Sequence, residues 1–224
     1  MGQIANQMAL ELFFRLKERI KEKREKEKQK KEKSRGEKQK DEYIKRGRNK
    51  MVYFTCDLHL GHRGIIEMQQ RPFSDVEEMN RCLLEHYNSV VQKNDTVYLL
   101  GDLCHHLPVP QANEWIRRMK GKKILVRGNH DKIYDESLFE EICDFKTISC
   151  DGIYFALMHY PMLSWPKKNS GSVHLHGHIH AGEEYNRKNR EDGIRRYDVG
   201  VDANAYYPVS VKRIVEFFKG QAGW

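Results

Sequence analysis

At 224 residues, 39% of them apolar, the chain is long enough for one sizeable core, and it carries a formal net charge of +8. That charge is local: residues 1–50 hold 18 Lys/Arg against 9 Asp/Glu, and the remainder is close to neutral. Five scattered cysteines without a C-x-x-C pair argue against a disulfide framework or a Cys-zinc site. No apolar run approaches the roughly 18 residues of a membrane span, and no apolar signal core opens the chain. A cytoplasmic protein with no transmembrane segment is expected.

In chain order, residues 3–33 read as one long helix. Ile4, Met8, Leu12, Leu16 and Ile20 recur every four residues. Beyond Ile20 the stripe ends, and Glu-to-Lys pairs such as Glu27–Lys31 suit a solvated helix. The basic extension 1–50 has three readings besides a plain solvated arm: self-association through the stripe, an electrostatic tether to nucleic acid, or a membrane-surface helix.

From residue 51 the pattern alternates strand and helix. Strands are expected at 51–56, 96–100 and 123–127. Helices are expected at 75–92, with Ser74 as N-cap and Glu77 completing a capping box, and at 109–119. The second half reads as strands at 145–149, 153–159, 173–176 and 197–201, then a helix over 211–218 capped by Ser210. Alternation of this kind implies a mostly parallel sheet, with ligands gathering at the C-terminal ends of its strands.

Five clusters of ligand-type residues follow one another along the chain, four of them at such ends. Asp57 and His59 stand two residues apart, so in an extended segment both would reach one ion. Asp102 follows Gly101 and offers two oxygens, enough to bridge two cations. In Gly128-Asn129-His130-Asp131, Asn129 is a neutral oxygen ligand and His130 is free for proton transfer. Asp131 is placed to orient the His130 imidazole. His159 closes an apolar run and gains meaning only from its company. Gly177-His178-Ile179-His180 is the most specific signal, although His174 and His176 continue the alternation upstream.

The ordered set D-x-H, G-D, G-N-H-D, H, G-H-x-H resembles the calcineurin-like metallophosphoesterase superfamily over about residues 51–205. The run Asp57–His62, with Ile65-Ile66 and Arg71-Pro72-Phe73, is similar to its small bacterial and phage members. The resemblance implies an α/β fold, a four-layer α/β/β/α sandwich of two mixed sheets, over a catalytic domain at 51–224 preceded by the charged N-terminal helix. It implies two divalent metal ions, Mn²⁺ favoured and Fe, Zn or Ni admissible. Asp57, His59 and His180 would hold one, Asn129, His159 and His178 the other, and Asp102 both, with His130 as the acid. A hydroxide held between cations about 3.5–4 Å apart would attack phosphorus in line. His62, Arg63 and Arg71 are candidate phosphate contacts. The expected activity is hydrolysis of phosphate esters, with phosphodiesters or nucleotides favoured. The alternatives are a nuclease tethered to DNA or RNA by residues 1–50, and a phosphomonoesterase or protein phosphatase.

Overall fold

The computed structural model describes residues 50–220. The expected helix over 3–33 lies outside them. Nine strands form two sheets. The first has the order β4-β3-β2-β1-β9, built from β1 (Val52–Thr55), β2 (Thr96–Leu99), β3 (Lys122–Val126), β4 (Glu141–Cys143) and β9 (Val209–Ser210). Four of these strands run parallel, and β9 pairs antiparallel with β1 through Phe54 and Val209. The second has the order β5-β6-β7-β8: β5 (Lys146–Cys150), β6 (Ile153–Leu157), β7 (Val173–His176) and β8 (Arg196–Asp198). There the antiparallel member is the edge strand β5. Both sheets are therefore mixed.

The period-two alternation of side chains decides what lies between the layers. Phe54, Tyr98, Leu100 and Val126 of the first sheet share one buried cluster with Phe155, Leu157, Val173, Leu175 and Tyr197 of the second. The intervening residues of the first sheet, Tyr53, Val97, Leu99 and Leu125, face the opposite way. They pack on α2 (Val76–Val90) through Met79, Leu83 and Tyr87, and on α3 (Val109–Arg118) through Ala112 and Ile116. On the second sheet, α4 (Glu183–Glu191) lies against β8. Helix, sheet, sheet, helix is the resulting order, as the resemblance implied.

Several local expectations shift. The N-cap of α2 is Asp75, whose Oδ1 accepts from Glu78 N at 2.7 Å, while the Glu78 carboxylate reaches back to Ser74 N and Oγ. The cap thus sits one residue later than the Ser74/Glu77 reading, with Asp75 as N-cap and Glu78 closing back onto Ser74. Two helices have no apolar stripe to announce them. One is the short α1 (Arg63–Met68). The other is α4, which buries two amides, Asn186 and Asn189, in place of apolar groups. Asn186 satisfies the β8 backbone, accepting from Asp198 N at 2.7 Å and donating to Asp198 O at 3.0 Å. The final helix, α5 (Val211–Phe218), starts at Ser210, whose hydroxyl accepts from Arg213 N.

Candidate metal centre

The C-terminal ends of β1, β2, β3, β6 and β7 converge, and their loops interlock. Asp57 N donates to Gly101 O at 3.1 Å, and Gly177 N donates to His159 O at 3.0 Å. Asp57 and His59 are not extended. Both are left-handed, with φ of 57° and 51°, as are Asp102, His178 and His180. Left-handed non-glycine residues cost free energy and concentrate where a site over-determines them. The loops therefore aim these side chains by turning the backbone, where a strand would have aimed them by alternation.

Two groups of ligand atoms result. Asp57, His59 and His180 bring atoms within 4.8 Å of one another, and so do Asp102, His159 and His178. Asp102 lies at the junction, its Oδ2 3.5 Å from both His59 Nε2 and His159 Nε2. Close approach requires glycine at Gly101, which is left-handed at 95°; a Cβ there would come within 2.7 Å of His159 Nδ1. At Gly177 a Cβ would overlap Cys56 Sγ and Asp57 Oδ2.

The polar accounting fits cations. Asp57 is fully buried; Oδ2 accepts from His178 N at 2.8 Å, but Oδ1 has no partner. An unpaired buried carboxylate oxygen is costly unless a positive charge meets it. Leu100 O takes the proton of His159 Nδ1 at 2.7 Å, so Nε2 presents a lone pair to Asn129 Oδ1 at 2.9 Å. His180 Nδ1 likewise donates to Asp202 Oδ2 at 2.8 Å, leaving its Nε2 lone pair 3.1 Å from His59 Nε2. Facing acceptors are satisfied by a shared cation, and a nitrogen–oxygen donor set suits Mn, Fe, Zn or Ni.

Without cations, charge in this site is strained. Burial, followed by the neighbouring His180, Arg71 and His130 charges, pushes His59 down to about 2. Burial also raises the Asp57 carboxyl. Behind it, burial and then the Asp57 charge push Asp198 up to about 7. Burial alone would raise Asp202, but His180 and Arg71 hold it below the usual carboxylate range.

Two expected roles change. Arg71 is buried, not presented to substrate. Its guanidinium donates to Asp202 Oδ1 and Oδ2 at 2.8 and 2.9 Å and to the carbonyls of Asp57 and Leu58 at 2.7 and 3.0 Å. With those donors used, it clamps the first loop to the last. Asp131 does not orient the His130 ring. Its carboxylate accepts from the backbone N–H of Asp102, Leu103 and Gly128 and from the Tyr134 hydroxyl, at 2.8–3.0 Å, tying the second and third loops together. Asp202, which no sequence expectation named, orients His180. The signal available was a carboxylate just past β8, where a ligand histidine needs a partner for its second nitrogen.

Of the remaining candidates, His130 is exposed, its N–H donating to Asp102 Oδ1 at 2.8 Å and its ring 5.5 Å from that of His59. His62 caps α1 half-buried beside His59, and Arg63 is exposed on the first turn of that helix. Tyr160 is 41% exposed, with its ring 4.6 Å from that of His178, and Ile179 is equally exposed. Among the described residues no helix is long and apolar enough to cross a membrane.

Residues 51–192 match the family model described as calcineurin-like phosphoesterase. An uncharacterised protein of Methanocaldococcus jannaschii is 35% identical over 173 residues, covering 76% of this chain and 92% of the relative. The gene 66 protein of Mycobacterium phage L5 is 28% identical, covering 68% of this chain and 86% of its own length. Among solved structures, the protein AQ665 of Aquifex aeolicus, of unknown function, superposes with a TM-score of 0.61 at 30% identity. That alignment covers 75% of this chain and 99% of AQ665.

Proposed function

The chain belongs to the calcineurin-like phosphoesterase family, and on that premise we propose that residues 51–224 are a dinuclear-metal phosphoesterase domain. Phosphate esters are its substrates, with phosphodiesters and nucleotides favoured. The observation that carries the reading is the pair of ligand groups, drawn from both sheets, that meet at Asp102.

Asp57, His59 and His180 would hold one cation, Asn129, His159 and His178 the other, and Asp102 would serve both. Bound, the two ions supply charge to neutralise phosphoryl oxygens and lower the pKa of a water nucleophile. The protein's own part is orientation. Asp202 and Leu100 O fix the tautomers of His180 and His159, so each offers Nε2 as ligand. His130, exposed and pinned by its backbone to Asp102, gives a proton to the leaving oxygen. Arg63, exposed on the first turn of α1, is the proposed phosphate contact. Tyr160, exposed beside His178, suits an organic leaving group such as a nucleoside. Mn²⁺ is the favoured metal.

The test is turnover of an aryl phosphodiester and an aryl phosphomonoester by chain loaded with Mn²⁺. The expected result is turnover that Asp102→Ala abolishes, faster on the diester. No turnover of either ester, or turnover indifferent to Asp102→Ala, sinks the reading. The local excess of basic charge in residues 1–50 favours a second reading, in which the arm tethers the enzyme to nucleic acid as a nuclease. Truncation of 1–50 would then weaken nucleic-acid binding and flatten its salt dependence. Unchanged binding at every salt concentration discards it.

A further inference from the structure

Beside the first ligand group stands a second set of imidazoles that neither cation assignment uses. The loops after β1 and β2 run side by side: Leu60 and Cys104 form an isolated parallel bridge, and His105 N donates to Leu60 O at 2.9 Å. That pairing sets the His105 ring 4.4 Å from the His62 ring, with the planes at 82°. Both rings adjoin His59, at 5.9 and 5.7 Å. Each of the three residues brings a ring nitrogen within 4.8 Å of the other two.

Their hydrogen-bond accounting is incomplete in the same way. Nδ1 of His59, of His62 and of His105 is buried, and none of the three has a partner in the structure. One orphaned imidazole nitrogen is unremarkable. Three on adjoining rings leave desolvation uncompensated at each of them. A metal-binding histidine ordinarily spends its second nitrogen on a carboxylate or carbonyl, as His180 does on Asp202 and His159 on Leu100. His59 does not. Its Nε2 points to His180 and Asp102, and its Nδ1 is one of the three orphans.

We propose that His62 and His105, with His59 on the inner side, form a third cation site distinct from the two that meet at Asp102. Its donors are nitrogen only, so it takes a borderline transition-metal dication such as Zn²⁺ or Ni²⁺ in preference to Mg²⁺, Ca²⁺ or Mn²⁺. His106, exposed and stacked on His105 at 4.0 Å, stands on the solvent side of the pair. The His130 ring lies 4.3 Å from His105, so the third charge would sit next to the proposed acid. Serving both cations would make His59 an imidazolate bridge, its N–H proton passing to the buffer as the metal binds. The site is argued from ligand geometry, and the expected count of three rests on the dinuclear reading.

The experiment uses full-length chain stripped with a chelator and dialysed against Zn²⁺ alone, with bound metal counted by elemental analysis. Residues 1–50 contain no His or Cys. Wild type is expected to bind three equivalents, and His62→Ala and His105→Ala two each, with thermal unfolding confirming that each variant is folded. Should one variant fail to fold, the other decides. Two equivalents or fewer in wild type, or three kept by the folded variants, overturns the third site. A wild type that binds two equivalents, loses them in Asp102→Ala and keeps them in His105→Ala defeats this proposal while leaving the dinuclear reading in place.

Discussion

His174 and His176 stand to His178 and His180 as one half of a repeat to the other, yet the two pairs have opposite fates. The first pair lies in β7, whose alternation sends both rings to the face of the second sheet away from Phe155 and Leu175. There both are fully buried and use both ring nitrogens. His174 Nδ1 meets Ala156 O at 3.0 Å, and its Nε2 accepts from Met162 N at 3.0 Å. His176 Nδ1 meets Gly177 O at 2.9 Å, and its Nε2 meets the Tyr185 hydroxyl at 3.2 Å. The second pair follows Gly177 in left-handed backbone, and His180 spends Nδ1 on Asp202, so its Nε2 faces the site. Identical residue types at identical spacing differ in role because one glycine ends the strand between them.

The largest way to break this contrast is to remove a ligand. His180→Ala is expected to lower kcat/KM on an aryl phosphodiester by more than about 100-fold, beyond the range of losses seen for residues that only orient ligands. The metal-free unfolding temperature should stay nearly unchanged, which separates a ligand from a core residue. Asp202→Asn is the next step down. By weakening the hydrogen bond that orients His180, it should reduce metal affinity about 10–100-fold, read by competition with a chelator.

The outer pair should show the reverse profile. His174→Phe strands the Met162 N–H and should cost about 1–3 kcal/mol in denaturant unfolding, with turnover per bound metal unchanged. The smallest and most specific difference is in pH. Burial pushes His174 down to about 4. A histidine lowered in the folded state favours folding when neutral, so its contribution is complete above an unfolded pKa near 6.5. It is lost progressively as pH falls toward about 4. The stability difference between wild type and His174→Phe, both metal-free, should therefore narrow across that window. A constant difference would show that His174 does not carry the titration.

Much of the fold was legible because it rests on local signals. The apolar runs at β1, β2, β3, β6 and β7 carry their own period, and Ser210 announces α5. The helix α4 was not legible, since what holds it is Asn186 against the β8 backbone, a contact between residues 12 apart in sequence that no stripe encodes. The same division runs through the site. Asp57, His59, Asp102, Asn129, His159, His178 and His180 could be named in order because each cluster is local and marked by glycine. The partners of Arg71 and Asp131 could not be named, because a charged side chain beside a cluster has the same sequence whether it meets a substrate or a backbone.

By itself, then, the sequence determined which residue types stand at the strand ends, in what order, and hence the family of chemistry they suit. Only the tertiary structure decided which of them meet. Arg71 joins Asp202 across 131 residues, Asp57 reaches His178 across 121, and His62 comes to lie beside His105 through a bridge between two loops. Those choices depend on the pairing of strand ends and on the left-handed turns that follow them. Both are set by packing between the sheets, where spacing along the chain says nothing.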